Sequence, residues 1–408
     1  MKTPSHTVII GAGHSGGTVA HQLRQLGYEG QITLIGDEGR SPYQRPPLSK
    51  AWLKGTVDAE DLALRPDTYY TENLISCLLD DSARQIDRAR RVVILESGRT
   101  LEYDHLVIAT GAKARKLETE FANGIVYLRN MSDALSLKTL LAREKPRVAI
   151  LGGGFIGLEV AATASHLGAE VTVIERESRI LNRVASQAIS DAITHAHQAA
   201  GVRILVEQRV ERLEYRGQHI ASVVLEDGTR VDCDLLLIGI GATPNDDIAR
   251  ESGLECDQGI IVDLNAQTSD PAIFAIGDVT RTRLPDGQLL PRLESVGNAL
   301  EQARKVAATL TEKPLPKDEA PWFWSDQYEL KLQMVGLRPA DSEVIVRKAL
   351  DGIGMSVFHV KDGKLKAAET INSAKDFLIS KRAISTGQFV DKDALRNEQR
   401  PTAEAFNS

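Results

Sequence analysis

The sequence predicts an α/β fold in which a strand, a glycine-rich turn and a helix occur twice, followed by a separate C-terminal segment. The apolar residues 8–10 lead into the G-x-G-x-x-G motif of residues 11–16, and residues 148–151 lead into a second such motif at 152–157. Residues 311–321 are rich in proline and charge, which is typical of a linker. The chain therefore has a duplicated α/β part and a C-terminal part.

Each element of the duplicated part has a signal of its own. Helices are predicted over residues 18–26 and 158–167, and the strand after each helix ends in acid, at Asp37 and at Glu175. Backbone N–H groups in such a turn, at the N-terminus of a helix, bind a pyrophosphate, and the carboxylate accepts hydrogen bonds from ribose hydroxyls. One motif would be weak evidence, but two in the same context predict two dinucleotide sites.

The acid at the second site also indicates which nicotinamide cofactor binds. Glu175 would repel a 2′-phosphate, so NADH is favoured over NADPH. Arg176 and Arg179 follow closely and could accommodate that phosphate, so the strictness of the preference stays open. Further apolar runs end in small residues at 106–111 and 235–244, and a later run at 273–278 ends in Gly277 and Asp278.

Composition and charge exclude several classes of protein. The chain has 408 residues, 49 Lys and Arg against 56 Asp and Glu, and a formal net charge of −7, so no general nucleic-acid binding is expected. Cys77, Cys233 and Cys256 show no C-x-x-C pattern or metal-ligand spacing, which favours a reducing, cytoplasmic location without disulfides or a metal. No apolar run approaches the ~20 residues of a membrane span.

Several motifs together resemble the two-dinucleotide-binding flavoprotein reductases: the two glycine turns, Ala-Thr-Gly at 109–111 and Ala-Ile-Gly-Asp at 275–278. Residues 45–50, 293–299 and 321–327 resemble the FAD-dependent ferredoxin reductases of oxygenase systems, both the Rieske dioxygenase type and the putidaredoxin reductase type. The similarity covers essentially the whole chain.

The resemblance implies a glutathione-reductase-like architecture with two Rossmann-like domains and a C-terminal α+β domain. An FAD-binding domain is expected over 1–110 and 237–320, an NAD-binding domain over 111–236, and the α+β domain over 321–408. The implied activity is NADH-dependent ferredoxin reduction: FAD accepts hydride from NADH and passes single electrons to a [2Fe-2S] ferredoxin that feeds an oxygenase. A monomer or weak homodimer is expected.

Three residues receive catalytic roles from the resemblance. It places Lys50 near the flavin N5 edge, with Glu159 close to it; the alternative is a solvated lysine and a carboxylate on a helix surface. The resemblance places Trp324 beside the flavin or on the electron exit path; the alternative is that it only packs in the core. Trp322 is expected to have a packing role.

The resemblance also implies a set of cofactor-binding residues. For FAD these are Gly11, Gly13, Ser15, Gly16, Asp37, Arg45, Lys50, Ala83, Ala109, Thr110, Gly111, Arg129, Gly277, Asp278 and Val296. For NAD they are Gly152, Gly154, Ile156, Gly157, Glu159, Glu175 and Gly241.

The absence of a redox-active cysteine pair implies that electrons leave to an external acceptor. Arg65, Arg304 and Lys305 are hypothesised to dock an acidic ferredoxin, with solvated helix faces as the alternative. Two other functions stay open, an NADH oxidase or peroxide-reducing flavoenzyme and an NADH-binding signalling flavoprotein similar to apoptosis-inducing factor. His195 and His197, two apart on a predicted helix, are interpreted as surface residues.

Overall fold

A computed structural model describes residues 5–119, 123–349 and 354–406, and it has the predicted mixed α/β character. No helix within these described ranges is both long enough and apolar enough to cross a bilayer. The chain divides into two compact units, which are described separately below. Unit 1 comprises Met1–Arg45, Asp58–Lys113 and Ala242–Asp318, and unit 2 comprises Pro46–Val57, Ala114–Gly241 and Glu319–Ser408.

The strands of the described residues are short, and most have five residues or fewer. In chain order they are β1 (His6–Ile10), β2 (Gln31–Ile35), β3 (Ile75–Leu78), β4 (Ala83–Asp87), β5 (Val92–Leu95), β6 (Thr100–Glu102), β7 (His105–Ile108), β8 (Ala112–Ala114), β9 (Ile125–Val126), β10 (Arg147–Leu151), β11 (Glu170–Ile174), β12 (Arg203–Leu205), β13 (Val210–Arg216), β14 (His219–Leu225), β15 (Arg230–Asp232), β16 (Leu235–Ile238), β17 (Ala242–Pro244), β18 (Ile260–Val262), β19 (Ile273–Ala275), β20 (Thr280–Thr282), β21 (Trp322–Gln327), β22 (Leu330–Gly336), β23 (Glu343–Lys348), β24 (Met355–Lys361) and β25 (Lys364–Ile371).

The α-helices of the described residues are α1 (His14–Gln25), α2 (Ala51–Lys54), α3 (Asp67–Glu72), α4 (Met131–Leu141), α5 (Phe155–His166), α6 (Gln187–Ala199), α7 (Asp247–Glu251), α8 (Val296–Leu310), α9 (Ala374–Thr386) and α10 (Lys392–Arg396). Short 3-10 turns occur at Pro46–Ser49, Glu60–Leu62, Gly277–Val279 and Thr402–Phe406.

Unit 1 contains a five-stranded parallel sheet in the order β19-β7-β1-β2-β3. The central strand β1 is buried on both faces, since Val8 and Ile10 face one apolar core while Ile9 faces the other. Helices α1 and α8 pack on the Ile9 side. This is the doubly covered sheet that a continuous apolar run predicts.

Unit 2 repeats this arrangement with the order β12-β11-β10-β16-β9, again parallel. The register is the same in both copies, because Ile10 lies opposite Ile35 in unit 1 and Leu151 lies opposite Ile174 in unit 2. Both units therefore share the order and register of the four strands nearest the glycine turn, whereas the fifth strand follows the motif in unit 1, as β19, and precedes it in unit 2, as β9.

The C-terminal part of unit 2 is an antiparallel five-stranded sheet, ordered β21-β22-β25-β24-β23, with α9 packed against β25 and β22. This is the predicted α+β segment. The segment Pro46–Val57, which the sequence places within the FAD-binding domain, belongs to unit 2. The domain ends at 110, 236 and 320 stay predictions.

The two helices that follow the glycine turns begin earlier than predicted, at His14 rather than residue 18 and at Phe155 rather than residue 158. Gly13 and Gly154 are the N-cap residues, with extended backbone and no side-chain cap. Both helices therefore begin inside the glycine motifs, with their free N–H groups in the turns.

Candidate functional site

The three glycines of the turn in unit 1 have two different roles: two are required for close packing, and one faces open space. A Cβ atom on Gly11, where φ is +114°, would lie 2.2 Å from the Ala109 carbonyl oxygen, and one on Gly16 would lie 1.9 Å from the Gly11 oxygen. For a Cβ on Gly13, the nearest atom in the described part of the chain is in the Arg45 guanidinium, at 3.9 Å. Gly11 and Gly16 thus permit tight packing, and Gly13 leaves the backbone open to a ligand.

The turn of unit 2 has the same division of roles. A Cβ on Gly152 would lie 2.4 Å from the Gly239 oxygen, and one on Gly157 would lie 2.3 Å from the Gly152 oxygen. Among the described residues, no atom lies within 4 Å of the Cβ position of Gly154. An open N-cap glycine at a helix N-terminus is what a pyrophosphate requires. Both turns therefore fit a dinucleotide.

The acid beyond the second strand is placed differently in the two units. In unit 2, Glu175 directly follows β11 and accepts hydrogen bonds from the N–H groups of Gly153 at 2.6 Å and Glu177 at 2.8 Å. In unit 1 the corresponding position is Gly36, where a Cβ would lie 2.6 Å from that of Ala12. The acid therefore follows its strand one residue later in unit 1, at Asp37, because there is no room for a side chain at Gly36. Asp37 follows it and is exposed.

The two arginines that could receive a 2′-phosphate both have partners in the protein. Arg179 donates to the carbonyls of Asn182 at 3.1 Å and Ala185 at 3.0 Å, and burial lowers its pKa. Arg176 pairs with Glu177 at 3.0 Å. Arg179 is therefore engaged by backbone carbonyls, whereas the Arg176 side chain is 63% exposed.

Beside the turn of unit 1 lies a charged pair that sequence analysis found only in part. Arg45 forms an ion pair with Glu38, whose carboxylate also accepts a 2.6 Å hydrogen bond from Tyr43. Burial opposes the charge of Arg45, but Tyr43 and Glu38 outweigh it and raise its pKa. Glu38 was missed because only the adjacent Asp37 matched the motif.

His14, the first residue of α1, carries an unpaired polar atom. Its Nδ1 is buried and has no hydrogen-bond partner among the residues that the structure describes. Burial, together with the Arg45 charge, lowers the pKa of His14, so its ring is neutral at pH 7. A buried donor or acceptor of this kind beside the turn supports the assignment of a bound ligand there.

The other predicted FAD residues of unit 1 are spread over several of its elements. Gly277, with φ of +79°, is so close to α1 that a Cβ would lie 2.2 Å from the Ser15 Oγ. Thr110 donates to the carbonyl of Asn245 at 2.8 Å and accepts from the Asn245 amide at 2.9 Å through its own carbonyl. The positions of the rest are as follows: Ala109 after β7, Gly111 with φ of +66°, Asp278 in a 3-10 turn, Ala83 in β4 and Val296 at the start of α8.

Two of the residues predicted to bind FAD, Lys50 and Arg129, belong to unit 2 rather than to the unit that carries the first glycine turn. Arg129 precedes α4, and its backbone N–H donates to Asp133 at 2.9 Å. Of the predicted NAD residues, Ile156 is 45% exposed on the first turn of α5 and Gly241 has φ of +114°.

The ion pair predicted between Lys50 and Glu159 is present in unit 2. The Lys50 Nζ lies 2.5 Å from a Glu159 carboxylate oxygen, and Glu159 is only 2% exposed. Lys50 caps the short helix α2, while Glu159 lies on the buried face of α5. The alternative interpretation, a solvated lysine and a surface carboxylate, is therefore wrong.

Two serines that sequence analysis did not assign complete the environment of Glu159. Ser49 Oγ donates to the oxygen that Lys50 contacts, at 2.5 Å, and Ser325 Oγ donates to the other oxygen at 2.7 Å. A buried charge needs such donors as well as its counter-ion. The available signal was position alone, since Ser49 adjoins Lys50 and Ser325 adjoins Trp324.

The three aromatic residues of β21, Trp322, Phe323 and Trp324, are all half-buried. Trp322 and Trp324 stack with ring centroids 5.4 Å apart, and Trp322 also contacts Phe377 in the core of the C-terminal sheet. This agrees with a packing role for Trp322. Trp324 is half-buried, and its assignment to the flavin stays a prediction.

Two surface predictions are corrected by burial. Lys305 is only 7% exposed, and its ammonium group lies 2.6 Å from Asp318 and 3.0 Å from Glu301. It also donates to the Leu264 carbonyl. Its charge is therefore neutralised inside unit 1, and it is not a docking residue. Arg65 and Arg304 are exposed. His197 is fully buried, because it lies on the inner face of α6, whereas His195 is exposed as expected.

The three thiols are not poised for redox chemistry. All three cysteines are unpaired, and burial raises the pKa of Cys77 and of Cys256 to about 11 and that of Cys233 to about 12. Thiols with such values are protonated at neutral pH and react slowly.

The chain matches two family models. Residues 5–303 match the pyridine nucleotide-disulphide oxidoreductase family, and residues 322–406 match the reductase C-terminal family. Among curated proteins it is 42% identical to a probable ferredoxin reductase of Castellaniella defragrans, covering 97% of each chain, and 42% identical to putidaredoxin reductase of Pseudomonas putida, covering 99% of this chain and 97% of that one.

Solved structures agree with these matches. A covalent putidaredoxin reductase–putidaredoxin complex superimposes with a TM-score of 0.95 at 40% identity, covering 99% of both chains. A ferredoxin reductase for the CYP199A2 system of Rhodopseudomonas palustris gives a TM-score of 0.94 at 40% identity, over 98% of this chain and all of that one.

Proposed function

Because the chain belongs to the pyridine nucleotide-disulphide oxidoreductase family and uses FAD and NAD(H), we propose that it is an NADH-dependent ferredoxin reductase serving an oxygenase. The state of its thiols carries the proposal. The family name refers to disulphide chemistry, yet Cys77, Cys233 and Cys256 are free, separate and held protonated. Electrons taken from NADH therefore leave to an acceptor outside this chain.

When bound, FAD supplies the conversion of a two-electron hydride donor into single electrons. The residues of unit 1 that would hold it are the turn at Gly11, Gly13 and Gly16, with Arg45 beside the open glycine to offset pyrophosphate charge. Ser15 and Asp278, at the ends of neighbouring elements, are proposed for its polar groups.

Unit 2 supplies the nicotinamide site and a charged pair. The open backbone at Gly154 receives the pyrophosphate of NADH, and Glu175, already oriented by two N–H groups, accepts the ribose hydroxyls. Lys50 is held by Glu159 as a fixed cation, which would stabilise negative charge on a reduced flavin. Trp324 is proposed as the aromatic neighbour of the ring system.

The proposed acceptor is a small acidic [2Fe-2S] ferredoxin. In support, a structural neighbour was solved in covalent complex with putidaredoxin, and two relatives are named putidaredoxin reductase and terpredoxin reductase. Arg65 and Arg304, both exposed in unit 1, are proposed to attract the carrier. Lys305 has no part in this surface.

Anaerobic stopped flow tests the proposal. The purified holoprotein is mixed with NADH or NADPH and then with an oxidised [2Fe-2S] ferredoxin, and flavin and cluster absorbance are followed. Fast bleaching by NADH, slow bleaching by NADPH and subsequent cluster reduction are expected. Flavin that is reduced by NADH but passes electrons only to oxygen or peroxide would replace the proposal with the oxidase function.

A further inference from the structure

The Lys50–Glu159 pair is one end of a longer chain of buried polar groups within unit 2. Ser325 Oγ, which contacts Glu159 at 2.7 Å, lies 3.1 Å from Gln327 Nε2. Gln327 Oε1 lies 2.9 Å from His197 Nε2, and His197 Nδ1 lies 3.2 Å from the Tyr328 hydroxyl. From Glu159 to His197 every member is at most 2% exposed.

The direction of each hydrogen bond in this chain follows from the charge on Glu159. A carboxylate only accepts, so the single Ser325 proton points to Glu159 and Ser325 accepts from the Gln327 amide. The Gln327 oxygen then faces His197, whose Nε2 must carry a proton. Burial lowers the pKa of His197, so the neutral ring leaves Nδ1 to accept from Tyr328.

A strained backbone holds the far end of the chain. Tyr328 connects β21 to β22 with φ of +53°, a conformation that is unfavourable for a bulky residue and persists only where contacts support it. Its ring meets that of His197 edge-on, with centroids 5.0 Å apart. The hairpin therefore fixes the Tyr328 hydroxyl against the imidazole.

We propose that Ser325, Gln327 and His197 form a one-directional hydrogen-bond relay that positions the Glu159 carboxylate against Lys50. The three are positioning residues, because none of them contacts Lys50 directly. His197 acts by holding the Gln327 amide in one orientation. If that amide turned over, the Ser325 proton would point to the Gln327 oxygen, and a lone pair would face the carboxylate.

The relay makes a spectroscopic prediction that packing alone does not make. In a Glu159→Gln variant the new amide can donate to Ser325, so the whole chain can reverse. Ser325 then donates to Gln327, the Gln327 amide donates to His197 Nε2, and the ring proton moves to Nδ1. The His197 tautomer, read from ring ¹⁵N and ¹³C shifts, reports the direction of the relay.

The experiment uses labelled holoprotein, with the His197 signals assigned by their loss in His197→Gln. We expect the Nε2–H tautomer in the wild type, a shift to Nδ1–H in Glu159→Gln, and no change in Glu170→Gln, which neutralises an exposed carboxylate of the same unit. An Nδ1–H tautomer in the wild type, or the same tautomer in the wild type and Glu159→Gln, would overturn the relay.

The effect on the reaction rests on the proposed function and has its own measurement. Replacing His197 with Phe removes the donor, and we expect the rate of flavin reduction at saturating NADH to fall roughly fivefold, the effect of one lost hydrogen bond. His197→Gln keeps an N–H donor and should restore most of the rate, while His195→Phe, on the exposed face of α6, should equal the wild type.

Equal rates in His197→Phe and His197→Gln would overturn the positioning role. A wild-type flavin that NADH does not reduce would contradict the proposed function instead, and the tautomer measurement would still decide the relay. Where Glu159→Gln fails to fold, the rate comparison of the His197 variants decides it.

Discussion

Two glycines of the second turn, Gly154 and Gly157, should respond differently to replacement by alanine: one variant should lose cofactor affinity and the other should lose stability. Gly154→Ala places the methyl group in open space, at an N-cap with φ of −85° that alanine can adopt. Gly157→Ala places it 2.3 Å from the Gly152 carbonyl oxygen, inside the contact between α5 and the turn. We expect the first variant to lose NADH affinity and the second to lose stability.

The magnitudes follow from these contacts. For Gly157→Ala the helix and turn must separate by about 1 Å, which costs about 1–3 kcal/mol, as for other overpacked sites. For Gly154→Ala the folding cost stays below about 1 kcal/mol. The same methyl group should hold the pyrophosphate away from the backbone N–H groups. Losing one charge-assisted hydrogen bond of about 1.5–3 kcal/mol raises the dissociation constant about 10- to 150-fold.

The assay measures thermal unfolding and the affinity for NADH, by titration of the oxidised or reduced protein. FAD content is the control, because the first glycine turn lies in unit 1 and is unchanged in both variants. Gly154→Ala should keep the FAD content of the wild type and lower Tm less than Gly157→Ala does. Normal NADH binding by this variant would refute the assignment of Gly154 to the pyrophosphate, and an unchanged Tm in Gly157→Ala would refute the packing argument.

Three further outcomes are expected. Thiol reagents should modify the folded protein slowly at pH 7, since all three thiols are held protonated. A variant with all three cysteines replaced by serine should keep its ferredoxin activity, and loss of that activity would restore a thiol mechanism. Lys305→Met should lower Tm without changing the ferredoxin KM, whereas Arg304→Glu should raise that KM in low salt and leave Tm unchanged. Burial opposes ionisation of Glu369, but His359 and the Ser186 N–H outweigh it and lower its pKa. The ionised Glu369 carboxylate therefore stabilises the fold at any pH above the ordinary pKa of glutamate, and this stabilisation is lost as the pH falls through the lower pKa of the folded state. Between pH 7 and 3, the urea midpoint of Glu369→Gln should consequently fall less than that of the wild type.

The duplicated part of the fold could be predicted because its signals are local. A buried parallel strand is a continuous apolar run, and a glycine that must adopt positive φ, as Gly11 and Gly152 do, leaves a mark in the sequence. The sequence predicts helix starts that are too late, because a glycine-rich first turn has low helix propensity. In the structure, the N-cap geometry of Gly13 and Gly154 outweighs that low propensity.

The remaining site residues could not be predicted because their roles depend on burial and on distant partners. Lys305 and His197 occur in ordinary amphipathic helix patterns, and nothing local distinguishes a charged group on the inner face from one in solvent. Ser49 and Ser325 are 276 residues apart in the chain, yet both donate to the same carboxylate.

The sequence by itself determined the two dinucleotide turns, the repeated strand–turn–helix pattern around them and the absence of a thiol pair, because each depends on residues close together in the chain. Only the tertiary structure decided that Glu159 is buried and held by Lys50 and two serines, and that a polar chain extends from it to His197. A buried charge is stable only when groups from several elements satisfy it together. That condition is met in three dimensions, and no short stretch of sequence records it.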